Sequence, residues 1–171
     1  MQSPSNNYPR ASFFRRLAAM VYDILVSVAV GMVAAMIMLL VLVILLENGV
    51  LDMGAEEHVS DVIQQSALYK TIIQVWVGVW VVGFFTWFWK NGGQTLGMRA
   101  WRLRLFSTND QSLGYGRVLL RIFVSLGGIG TLLVLLDFRN KLALQDRIAK
   151  TEILVLTKDA NHHRSWKELQ N

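Results

Sequence analysis

Residues 17–46 read LAAMVYDILVSVAVGMVAAMIMLLVLVILL, an apolar run in which Asp23 is the only charged residue. From Ile24 to Leu46 there are 23 uncharged residues. At about 1.5 Å per helical residue this covers a hydrocarbon core of about 30 Å. The run is too long for the apolar region of a cleavable signal peptide, about 7–15 residues, so it is expected to remain as an anchor. Arg10, Arg15 and Arg16 stand before it, and residues 1–9, which hold both prolines, read as a disordered polar tail.

A second uncharged run, Thr71 to Trp89, is dense in aromatic residues and closes on Trp87, Phe88 and Trp89 before Lys90. Such a cluster is what an interfacial aromatic belt requires. Its stripe Trp76, Trp80, Gly83 and Trp87 could line a ligand site, although lipid-facing or packing aromatics explain it more simply. The third apolar stretch, about 118–136, has a 15-residue core from Ile122 to Leu136 interrupted by Gly127, Gly128 and Gly130. A stretch this short and broken is expected to be re-entrant or interfacial.

Composition agrees. Of 171 residues 53% are hydrophobic and only 17% charged, against about 25% charged in soluble domains. The mean hydropathy is +0.38. With no cysteine, thiolate metal sites, disulfides and thiol catalysis are excluded. The length allows one membrane domain over 10–157, with a polar tail over 158–171 and no second large domain.

Charge placement gives an orientation. The loop Glu47 to Asp61 contains Glu47, Asp52, Glu56, Glu57 and Asp61 and no Lys or Arg, whereas residues 90–121 contain Lys90, Arg99, Arg102, Arg104, Arg117 and Arg121. The positive-inside rule places the N-terminus and 90–121 in the cytoplasm and the acidic loop outside. The C-terminal part, with Arg139, Lys141, Arg147, Lys150, Lys158, Arg164 and Lys167, belongs inside as well, which a third full crossing would prevent. Trp101 to Phe106 alternates apolar and basic residues like a half-exposed strand, and Thr151 to Thr157 is a second strand-like run. Two strands pair only within one compartment, so both chain ends are expected to be cytoplasmic.

An ionisable residue inside a span is a functional candidate by default, which singles out Asp23. Arg16 lies seven residues, about 10 Å, before it on nearly the same helical face. A bridging carboxylate or water would join the two more comfortably than direct contact. Ala19, Ser27, Gly31 and Ala35 share that side with Asp23, a stripe of small residues that lets another helix approach closely. The cluster around Asp146 reads by itself as an ordinary amphipathic turn. His58 in the acidic loop and His162-His163 fit no specific metal spacing. No phosphate loop, nucleophile elbow or paired-histidine zinc motif is present, so an enzyme is not expected. The basic stretch 99–104 with Trp101 is better suited to anionic lipid headgroups than to nucleic acid.

Three segments resemble the RDD family of small bacterial membrane proteins. Phe13-Phe14-Arg15-Arg16-Leu17-Ala18-Ala19-Met20-Val21-Tyr22-Asp23 is similar to the family's first segment, with Arg16 (or Arg15 in another register) and Asp23 in the named roles. Gly93-Gln94-Thr95-Leu96-Gly97-Met98-Arg99 is similar to its Gly-x-Thr-x-Gly element, and Ser112-Leu113 to Arg121 to the segment before its last hydrophobic region. The third named residue falls on Asp146. There the chain departs from the pattern, with Gln145 where histidine is common and Lys150-Thr151 where Gly-Thr is common. The resemblance covers roughly 10–157 and implies a location in the bacterial plasma membrane. It also implies a pairing of Arg16 with Asp146 on the cytoplasmic side. Transport is suggested for the family, with sodium–proton exchange proposed for some members.

The expectation is an all-α membrane protein with spans near 17–46 and 71–89 and a small cytoplasmic strand pair. Asp23, Asp146 and Arg16 are its ion- or proton-site candidates, without cofactor or metal. So small a chain would have to transport as a homo-oligomer, packed on the Ala19 to Ala35 stripe. The alternative is an accessory or assembly protein with an unidentified membrane partner, in which the Arg–Asp network is structural.

Overall fold

The computed structural model describes residues 8–54, 57–108, 113–137 and 139–162. Most of both sequence-read tails, 1–7 and 163–171, lies outside them, as do Glu56 and Ser112. The chain is 66% helical with one two-stranded sheet, so the expected fold class is borne out.

Helix α1, Phe13–Glu47, and helix α3, Ala67–Asn91, are long and apolar enough to cross a membrane. Both exceed the spans read from hydropathy because helical hydrogen bonding continues into the flanking polar residues. α1 ends on Gly49, whose φ of +67° allows Gly49 N–H to donate to Leu46 O at 3.0 Å and Val50 N–H to donate to Leu45 O at 2.9 Å. This is the Schellman closure that satisfies the last carbonyls of a helix.

The chain divides into two compact units, one of residues 27–83 and one of residues 1–26 with 84–171. In the first, Leu42 and Leu46 of α1 meet Val62 and Ile63 of the short helix α2, Val59–Gln65. Higher in the same unit, the Trp76 indole N–H donates to Ala34 O at 3.1 Å, and Gly31 lies against Val77. α3 has no buried residue, while Val75, Val79 and Trp80 are strongly exposed. A helix that is apolar all round and leaves one side uncovered by protein offers that side to lipid.

The second unit is organised by strands β1, Leu103–Ser107, and β2, Thr151–Val155. They are antiparallel, with Leu103 opposite Val155 and Ser107 opposite Thr151. The pairing expected from sequence is therefore formed, and both strands lie in one compartment. The free edge of β2 is taken by the N-terminal segment: Val155 N–H donates to Pro9 O and Ala11 N–H to Ile153 O, both at 2.9 Å. This moves the tail boundary, because Pro9 is tied to the sheet and Tyr8 packs on Phe106, Leu154 and Leu156. An edge strand's unpaired backbone groups are the physical reason.

The strand is not half-exposed as its alternation predicts. Leu103 and Leu105 pack with Ala11, Ala19, Met98 and Ile153, yet Arg104 on the opposite face is only 2% exposed. Its stem runs past Gly93, its guanidinium sits 5.6 Å from the Phe106 ring, and burial pushes its pKa down to about 10.

Helix α5, Tyr115–Val124, buries Val118 and Arg121 and exposes Tyr115, Leu120 and Phe123. A 3-10 turn, Leu126–Leu132, and helix α6, Leu133–Leu136, follow, and the axis bends by 75°. Gly127 and Gly128 have φ of +66° and +103°, which residues with a Cβ rarely adopt. The glycines therefore produce the break that the sequence predicts there. Helix α7, Leu144–Ile148, then leads into β2.

Candidate functional site

Of the sequence-read residues, the structure joins Arg16 to Asp146 and holds Asp23 elsewhere. Arg16, in the first turns of α1, directs its guanidinium at three oxygens. Nη1 donates to Asp146 Oδ2 at 2.5 Å, Nη2 to Lys141 O at 2.9 Å and Nε to Ala11 O at 3.2 Å. Asp146 stands in α7, where its Oδ2 also accepts from Ala143 N–H at 3.0 Å. That bond caps the helix with an acidic residue in its first turn, where the dipole favours negative charge.

The other oxygen of Asp146 belongs to a residue the sequence reading did not select. Arg121 Nη1 donates to Asp146 Oδ1 and to Thr151 Oγ1, each at 2.6 Å, and its guanidinium lies over the Trp89 ring at 5.3 Å. Arg16, Arg121 and Asp146 are 3%, 2% and 1% exposed. Two guanidiniums around one carboxylate leave a formal surplus of one positive charge, offset by the carbonyls of Ala11 and Lys141 and the Thr151 hydroxyl. Burial raises the pKa of Asp146, but Arg121 and Arg16 outweigh it and hold the carboxyl below the usual range. The carbonyls and the hydroxyl use much of the remaining hydrogen-bonding capacity that burial of such charges demands, and the Arg121 Nε is left without a partner among the described residues. Arg117, one turn before Arg121, donates instead to Ala149 O, Lys150 O and Ser107 Oγ, tying the end of α7 to β1. Nothing in the sequence separates the two arginines, since the packing of α5 alone decides which one faces Asp146.

Asp23 is buried, at 7% exposure, and is engaged by the 93–99 element. Thr95 Oγ donates to Asp23 Oδ2 at 2.5 Å and Gly97 N–H donates to Asp23 Oδ1 at 2.8 Å. Thr95 is also the N-cap of the short helix α4, Leu96–Ala100, its hydroxyl accepting from Met98 N–H at 3.2 Å. A Cβ at position 97 would enter the Ala19 carbonyl and come within 2.8 Å of Asp23 Oδ1. Gly93, at φ +66°, turns the chain so that its carbonyl accepts from Leu105 N–H at 2.8 Å. Each fixed position of the Gly-x-Thr-x-Gly element thus has a physical task. Thr95 and Gly97 were visible in sequence as a motif but not as partners of Asp23, because 72 and 74 residues separate them.

The small-residue stripe is engaged within the chain at two of its positions. Ala19 is 2% exposed in the core that includes Met98, and Gly31 faces Val77. Ser27 and Ala35 are half-buried. Gln145, where the family pattern favours histidine, is buried and donates to Thr131 Oγ at 3.0 Å. In the aromatic stripe, Trp76 and Trp80 meet edge to face at 5.9 Å, and Trp87 is 61% exposed. His58 is exposed at the N-cap of α2. Among the described residues, no three acidic or histidine side chains gather in a way that could hold a metal ion.

No curated protein and no solved structure matches the chain. The model of the RDD family matches residues 10–150, which contain Arg16, Asp23, Thr95, Gly97, Arg121 and Asp146. That match covers most of the chain, and the chain belongs to the RDD family, a family of small bacterial membrane proteins.

Proposed function

We propose that this protein exchanges a monovalent cation for a proton across the membrane, with Asp23 carrying the exchangeable charge. The observation that carries the reading is the division of labour between the carboxylates. Asp146 is locked between two guanidiniums, whereas Asp23, buried in α1, takes its bonds from the neutral donors Thr95 and Gly97. A carboxylate held by a hydroxyl and an amide can change protonation state or ligand without stranding a buried arginine. Arg16 is then part of the lock, on Asp146.

Two spans enclose little space for a solute path, so exchange on this reading needs a homo-oligomer. Since Ala19 and Gly31 are already covered within the chain, its contacts would come from exposed faces of α1 and α3. In this reading the protein lies in the bacterial plasma membrane with both ends cytoplasmic, the basic 90–121 segment meets anionic headgroups, and there is no enzymatic activity.

The test is cation-dependent collapse of a pH gradient in vesicles carrying the purified protein. Wild type should respond to Na⁺, Li⁺ or K⁺, and Asp23→Asn, which preserves shape and can still accept from Gly97, should not. A second reading is an accessory or assembly protein bound to another membrane protein. It is favoured by the use of both Asp23 oxygens in fastening the 93–99 element to α1. Vesicles with folded wild type and no cation response would establish that reading over exchange.

A further inference from the structure

Beside the β2 edge lies a shallow, open cavity of about 360 Å³ lined by Tyr8, Pro9, Arg10, Arg139, Asn140 and Lys141. That volume is within the range of small-ligand sites, about 300–1,000 Å³. Among the described residues that line it, three are cationic and none is acidic. It is distinct from the Asp146 lock, which it meets at the Lys141 carbonyl that accepts from Arg16.

The cavity has a braced side. Arg10 Nε is bonded to the buried carboxylate of Glu152 at 2.9 Å and Nη1 donates to Asn140 O at 3.2 Å, which fixes the guanidinium plane. The Asn140 turn is held in its own right, its backbone N–H and side-chain amide both donating to Asp137 Oδ1 at 3.1 and 3.2 Å. Lys141 sits at φ +53°, with its N–H on Asp137 O at 2.8 Å. The Arg139 and Lys141 side chains are exposed, and among the described residues neither forms an ion pair. Glu152 offsets one of the three positive charges, so the cavity keeps a surplus of about two.

A fixed guanidinium beside two exposed cations and a phenol is a donor set for a tetrahedral oxyanion. The chain entering the cavity adds a second observation. Ile129, Leu132 and Leu136, which immediately precede it, are 65%, 51% and 80% exposed. Apolar side chains left uncovered within ten residues of Arg139 are what a segment at the boundary of acyl chains and headgroups would present.

We propose that this cavity is a phosphate-recognition site whose ligand is the phosphate of an anionic phospholipid or a free phosphate. The inference rests on the membrane assignment and not on cation exchange.

The experiment is calorimetric titration of the full-length protein in neutral detergent with dihexanoyl phosphatidylglycerol, with dihexanoyl phosphatidylcholine and with inorganic phosphate. Saturable binding of phosphatidylglycerol, absent with phosphatidylcholine, assigns the site to lipid. Saturable binding of inorganic phosphate assigns it to the free anion. In either case the R139Q/K141N double variant should bind at least about tenfold more weakly. The charge-conserving R139K/K141R variant should bind within about threefold of wild type, which separates lost charge from lost folding. Saturation by neither anion, or equal affinity in R139Q/K141N, overturns the proposal.

Discussion

The unit formed by residues 27–83 and the unit containing Asp146 are held together by different means. In the first, aliphatic residues of α1 and α2 make a small core on which Tyr69 and Ile73 of α3 pack, no residue of α3 is fully buried, and the Trp76 indole bonds to Ala34 O of α1. In the second, Arg16, Asp23, Arg104, Arg121, Asp146 and Glu152 are all buried. Lipid solvates an apolar helix surface as well as a protein neighbour does, so packing there is permissive. A buried charge has no such freedom. It is either matched by a defined donor or acceptor, or it costs several kcal/mol. Chain geometry is therefore specified most tightly where the chain is most polar.

The largest test of this contrast is Asp146→Ala. Removing the carboxylate strands two buried guanidiniums and should cost about 3–5 kcal/mol, read as a loss of unfolding midpoint in detergent. The triple change Arg16→Leu, Asp146→Leu, Arg121→Met should restore much of that stability, because removing a whole buried ion set is far cheaper than breaking it. If the single change is silent, the lock is not what holds this unit.

Acid should attack the same point. The carboxyl of Asp146 is held below its ordinary range in the folded protein. Its contribution is thus fully present above the ordinary carboxyl pKa of about 4 and is lost as pH falls through the lower folded value. Unfolding midpoints followed downward from pH 6 should decline steeply only below about pH 4, and Asp146→Asn should flatten that decline. A profile as steep in the variant as in wild type would remove Asp146 from the account.

A pair of glycines makes the comparison most directly. Gly97→Ala drives a methyl group into the Ala19 carbonyl and Asp23, and should cost about 1–3 kcal/mol by overpacking. Gly31→Ala meets only the tip of Val77, at 3.3 Å, and gains helix propensity of up to about 1 kcal/mol, so its net effect should be close to zero. Equal losses at both sites would refute the claim that the two regions differ in tolerance. Trp76→Phe, which removes the indole bond to Ala34, should cost about 0.5–1.5 kcal/mol, more than Gly31→Ala and less than breaking the Asp146 lock.

Much of this could be read without coordinates. The uncharged runs gave both spans because only a helix satisfies its backbone inside a bilayer. The glycines at 127, 128 and 130 gave the break in the third segment, and the strand-like runs near 103 and 153 gave the pair and its shared compartment. The same reading failed at Arg104, which alternation places in water and the fold places under Gly93 and Phe106. It also left the first residues of the sheet edge, Tyr8 and Pro9, in the tail.

What sequence determined by itself was the kind of protein, because hydropathy, charge asymmetry and backbone constraints act locally and are written along the chain. The pairing of Arg16 with Asp146 was implied by the family resemblance; the other partnerships were decided only in three dimensions. Arg16 and Asp23 share a helix face, yet one turns to Asp146, which Arg121 also binds, and the other to Thr95 and Gly97. A buried charge is matched by whichever complementary group the fold brings within about 3 Å, and separations of 25 to 130 residues leave no local trace of that choice.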